Sequence, residues 1–81
     1  MLRKWFQLIV DNIDDLALLL TLENGKTIAE AKGEISFAAG FVEYYSEEAV
    51  RVYGDTIPAS VDGKKILTLK EPVGVCALIT P

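Results

Sequence analysis

The sequence predicts an α/β fold: about three helices, a strand of edge character, then a strand of the kind found inside a parallel sheet. Three observations carry this. The run Glu71–Pro81, EPVGVCALITP, is apolar from Val73 to Ile79 with Gly74 as the only gap. A strand with one wet face alternates apolar and polar residues, whereas an unbroken run bounded by prolines reads as a strand buried on both faces. Ahead of it, Leu67 and Leu69 alternate with Ile66, Thr68 and Lys70, the pattern of a half-buried or edge strand over Lys64–Glu71. Upstream of both, apolar residues recur in the three- and four-residue steps of helices.

Taken in order, Leu2, Trp5, Phe6, Ile9 and Ile13 place one apolar face on a helix from Leu2 to about Val10, with Trp5 and Phe6 read as core. Asn12 is a candidate N-cap for a second helix over Ile13–Glu23, with Asp14 and Asp15 in its first turn where the helix dipole favours negative charge. That helix contains LALLL and is apolar all round, which predicts burial between other elements. Gly25 is placed to end it in the left-handed conformation. Thr27 and Glu30 have the spacing of a capping box opening a third helix that is expected to run as far as Tyr53. Ile28, Ala31, Ile35, Ala38, Val42, Tyr45, Ala49 and Val52 form one stripe along it, and Phe37, Phe41 and Tyr44 a second. Gly33 and Gly40 lie seven apart near one face and suggest a close approach or a slight bend. Gly54 ends the helical part, Asp55–Pro58 is connecting chain, and Asp62-Gly63 is a turn signal before the strand at Lys64–Glu71. Pro72 separates that strand from the last one. The chain thus divides into a helical part (1–54), an edge-strand region (57–71) and a buried strand (73–81). The last of these needs paired strands and covering helices that 81 residues do not supply, so the chain is expected to be a piece of a larger protein.

Composition narrows the classes of function. A net charge of −4 with no histidine provides no basic patch for nucleic acid. Leu16–Leu20 is far short of the roughly 20 apolar residues that span a bilayer. The basic start, Met1-Leu2-Arg3-Lys4, is soon followed by Asp11, Asp14 and Asp15, which is not the pattern of a secretory or transit peptide. One cysteine permits no internal disulfide and fits a reducing, intracellular setting, cytoplasmic or mitochondrial. No metal-ligand spacing is present. The carboxylates of Glu30, Glu34, Glu43, Glu47 and Glu48 read as a cap and solvated helix faces, and Lys26 as a cation at a helix C-terminus.

Five stretches, RKWFQLIVDN, DDLALLLTLENGK, AEAKGEI, VYGDTIP and EPVGVCALITP, resemble the NAD(P)-dependent aldehyde dehydrogenase superfamily, in the same order and at similar spacing. The wording is most similar to the succinate-semialdehyde dehydrogenase branch, and the resemblance runs from about Leu2 to Pro81. It implies that the final strand is the first of a Rossmann-like cofactor sheet, and that the strand at 64–71 joins an oligomerisation sheet of a homo-oligomer. It also implies an overall reaction, oxidation of a small aldehyde (here succinate semialdehyde) to the acid with NAD or NADP. A cysteine thiolate adds to the aldehyde, hydride leaves to the cofactor and water hydrolyses the thioester. The stretches matched lie ahead of the family's catalytic cysteine and glutamate, so no catalytic residue is assigned here.

Cys76 is the tempting nucleophile, but it sits among Val75, Ala77 and Leu78 with no histidine to activate it, and its expected role is structural. Ile79, Thr80 and Pro81 are the cofactor candidates. Ligands of open α/β sheets bind just beyond the carboxyl ends of the strands, and the resemblance puts this corner against the adenosine-ribose side of NAD(P), mainly through backbone groups. Phe37 and Phe41 are candidate walls of the aldehyde channel by the same resemblance, with packing against the sheet as the competing role. The alternative for the whole chain is a small helical interaction module that pairs through the 28–52 stripe.

Overall fold

A computed structural model describes residues 1–80. The chain forms two compact units, Met1–Ala49 and the residues from Val50 onward. The first contains three helices, α1 (Leu2–Asp11), α2 (Ile13–Asn24) and α3 (Ile28–Glu48). Both α1 and α2 pack on α3 much more than on each other, so α3 is the central element of its unit.

Local chemistry sets the helix ends. Gly25 closes α2 at φ 85°, and its amide donates to the Thr21 carbonyl at 2.8 Å. The αL conformation costs glycine no Cβ strain, which is why the helix stops there. Thr27 then opens α3 with both halves of the capping box. The Glu30 amide donates to Thr27 Oγ1 at 3.3 Å, and the Thr27 amide donates to Glu30 Oε2 at 3.2 Å.

Asn12 behaves differently from expectation. Its side chain makes no N-cap bond to α2; Nδ2 donates instead to the Leu8 carbonyl at 2.8 Å, alongside the Asn12 amide at 3.2 Å. Asn12 therefore satisfies a carbonyl left open at the end of α1. The third helix is also shorter than predicted and stops at Glu48 rather than Tyr53. Its last turn holds Glu47 and Glu48 and no basic residue, a poor match to the negative end of the dipole. The β-branched Val50 and Val52 follow and lower helix propensity further.

The fully buried side chains of the described residues are all alanines: Ala17, Ala31 and Ala39. Single methyl groups at these points let α3 lie close against its neighbours. Around them, Phe6, Ile9, Ile13, Leu16, Leu20, Ile35 and Val42 are half-buried. The packed face of α3 thus follows Ala31, Ile35, Ala39, Val42 and Ser46, whereas Ala38 and Tyr45 of the predicted stripe are exposed. A strict seven-residue repeat drifts by about 20° per heptad on a straight helix. The inward face consequently departs from the predicted seam at Ala38 and Tyr45 and keeps Val42. Trp5, expected in the core, is 48% exposed. Nor does α2 become buried on every side, since Leu18, Leu19 and Leu22 remain exposed.

In the second unit β1 (Thr56–Ile57) pairs antiparallel with β2 (Ile66–Leu67), Thr56 opposite Leu67 and Ile57 opposite Ile66. The hairpin loop includes the predicted Asp62-Gly63 turn, in which Gly63 takes φ 80° and the Lys64 amide donates to the Val61 carbonyl at 3.3 Å. The strand expected over Lys64–Glu71 is thus reduced to two residues. Pro58, which has no amide hydrogen, follows directly on Ile57 and stops the ladder.

The buried strand expected over 73–81 is not formed among the described residues. Residues 73–79 carry no strand pairing, Val75 and Ile79 are almost completely exposed, and Gly74 has φ 98°. The apolar pattern does suit a both-face-buried strand, but such a strand exists only where neighbours take up its amides and carbonyls on both edges. The sheet observed here is the two-stranded β1–β2 ribbon.

Candidate functional site

One face of α3 gathers aromatic rings. Phe37, Gly40, Phe41 and Tyr44 lie at i, i+3, i+4 and i+7, positions that share a side of a helix. Tyr45, four residues beyond Phe41, adds to the edge. The Phe37 and Phe41 rings meet edge to face, with centroids 4.9 Å apart and planes at 85°. Tyr44 and Tyr45 form a second such pair at 5.2 Å and 89°. Edge-to-face packing sets the positive rim of one ring against the negative face of the other. Around Gly40 these four rings line an open groove of about 380 Å³, a volume in the range of small-molecule sites.

The lining holds no carboxylate, amine, thiol or imidazole, and its polar atoms are the tyrosine hydroxyls and backbone. Such a wall can hold and orient an apolar stem. It presents no carboxylate or imidazole base and no thiol or amine nucleophile. The sequence signalled Phe37, Phe41 and Tyr44 as one stripe. The same spacing puts Tyr45 on the other stripe, and its i+4 step from Phe41 is the signal that joins it to the groove.

Gly33 and Gly40 show no close approach, since a β-carbon at either would meet nothing within 4 Å. A second groove on the same unit is lined by Trp5, Leu8, Ile9, Asn12, Asp15 and Leu16, and it carries a single ionisable group. Ion pairs fasten the helices from outside. Arg3 meets Glu43 at 2.7 Å and Glu47 at 3.8 Å, and its guanidinium also stacks 5.2 Å from the Phe6 ring centre. Lys32 pairs with Asp14, and Lys26 pairs with Glu34, so a carboxylate as well as the helix end accounts for Lys26. Glu30 has its pKa lowered, first by the Thr27 hydroxyl that donates to it at 2.8 Å and then by the Thr27 amide, with the Lys26 charge adding a little. This is the chemistry of a cap.

The other predicted site residues belong to the second unit. Ile79 and Thr80 are exposed, and Pro81 lies outside the described residues. Cys76 is a free, exposed thiol whose nearest polar partner is the Gly74 carbonyl at 3.7 Å, so it packs in no core. Among the described residues no group of carboxylate, thiol or imidazole side chains could hold a metal ion, and no helix is long and apolar enough to cross a membrane.

Comparison with known proteins places this architecture. The sequence profile described as "Aldehyde dehydrogenase family" matches residues 1–81. The chain belongs to the aldehyde dehydrogenase family. Among curated relatives, glutarate-semialdehyde dehydrogenase of Pseudomonas putida is 56% identical over 80 residues, which is 99% of this chain and 17% of that protein. Succinate-semialdehyde dehydrogenase GabD of Escherichia coli, whose name specifies NADP(+), is likewise 56% identical over 80 residues and 17% of its own length. Of solved structures, succinate-semialdehyde dehydrogenase from Burkholderia pseudomallei superposes with a TM-score of 0.74 at 57% identity, covering 93% of this chain and 16% of that one. The chain therefore spans about one sixth of the length of these aldehyde dehydrogenases.

Proposed function

We propose that this chain is the helical and strand-entry part of an NAD(P)-dependent semialdehyde dehydrogenase that oxidises succinate semialdehyde to the dicarboxylic acid. The observation that carries this reading is 56% identity, across essentially the whole chain, to enzymes named for succinate and glutarate semialdehyde. Within that enzyme Phe37 and Phe41 wall the path taken by the aldehyde, and their groove, free of charge, suits a short carbon chain. The strand region 64–71 pairs with another copy in a homo-oligomer. Its two-residue ribbon leaves edges able to accept a further strand.

NAD(P) supplies the hydride acceptor in such an enzyme. The residues described here do not by themselves fit a nucleotide, because Ile79 and Thr80 offer one hydroxyl, no charge and no surrounding crevice. Their assigned part, with Pro81, is backbone contact on the adenosine-ribose side once 73–81 is paired in a sheet. No step of the reaction is routed through them. As an isolated polypeptide of 81 residues the chain is catalytically silent in this reading, and it works inside the cell, in cytoplasm or mitochondrion.

The test is to express the full-length protein that contains this segment and follow NADH and NADPH formation with succinate and glutarate semialdehydes. Turnover of succinate semialdehyde supports the assignment, and its absence, with or without turnover of glutarate semialdehyde, overturns it. The same assay on the 81-residue chain should give no turnover, and measurable activity there would end the claim that it is silent.

A further inference from the structure

We draw no further inference here: the strongest candidate, the exposed aromatic face of α3 formed by Phe37, Phe41, Tyr44 and Tyr45 around Gly40, belongs to the site already described, and nothing in the structure shows what else covers it.

Discussion

Gly54 lies so close to the carbonyl of Thr68 that a β-carbon on it would sit 1.8 Å from that oxygen. The contact is held by its neighbours. The Thr68 amide donates to the Asp55 carbonyl at 2.9 Å, and the Asp55 amide donates to Thr68 Oγ1 at 2.7 Å. Thr68 Oγ1 in turn donates to Asp55 Oδ2 at 3.2 Å. A glycine that sequence reasoning assigned to stopping a helix is thus required by backbone-to-backbone contact in the hairpin unit.

Gly54→Ala is accordingly expected to destabilise that unit by on the order of 1–3 kcal/mol, the usual range for forced overpacking. Faster hydrogen exchange at the Thr68 amide is the readout. Gly33→Ala is the contrasting substitution, because its β-carbon meets nothing within 4 Å and the residue is helical. It should stabilise α3 by about 0.5–1 kcal/mol. Equal effects of the two substitutions would contradict the assigned contact.

The capping box gives a pH-dependent prediction. Glu30 has a folded pKa below its ordinary value, chiefly through the Thr27 hydroxyl. A lowered carboxylate pKa adds stability that is fully present above the unfolded value and disappears as pH falls through the folded one. Helicity of this chain should therefore drop on acidification through and below the ordinary glutamate range, and Glu30→Gln should flatten that part of the profile. Thr27→Ala should cost about 1 kcal/mol at neutral pH. Identical acid profiles for the parent and Glu30→Gln chains would refute the link.

The alanine positions between helices are expected to be intolerant of size. Ala17→Leu or Ala31→Leu would push α2 and α3 apart, at a cost of about 1–3 kcal/mol. Leu22→Ala, at a side chain 72% exposed in this chain, should change its stability by no more than about 0.5 kcal/mol. Thermal denaturation of the three variants checks the order.

Phe37→Ala and Phe41→Ala, made in the full-length enzyme, test the channel assignment. Each should lower kcat/KM for semialdehydes by on the order of tenfold, the worth of one to two good apolar contacts. A loss in protein yield or melting temperature with kcat/KM unchanged would mean that the rings serve packing alone.

The local signals in the sequence were legible. Gly25 and the Thr27–Glu30 pair act over three or four residues, and they terminate and open helices as their spacing predicts. Signals that depend on competition between partners were less so. Asn12 could cap forward or backward, and only the open Leu8 carbonyl decides between the two. The inward face of α3 depends on how α1 and α2 lie against it, which moved burial from Ala38 to Ala39. The run from Val73 to Ile79 has the composition of a buried strand, yet pairing needs partners that its own side chains cannot supply. The four-residue spacing of Phe37 and Phe41 brings their rings into edge-to-face contact. The expectation that Ile79 and Thr80 contact a cofactor rests on likeness to a family, and no pairing among the described residues fixes their geometry.

The helical unit spans residues 1–49, and its sealed interior consists of three methyl-bearing alanines. Contacts between elements near in sequence form quickly, while so small an interior holds them weakly. Together these imply reversible assembly during synthesis: α1, α2 and α3 can meet as soon as they leave the ribosome, separate, and meet again. Amide protection in α3 of this chain should accordingly be weak, as hydrogen exchange would show.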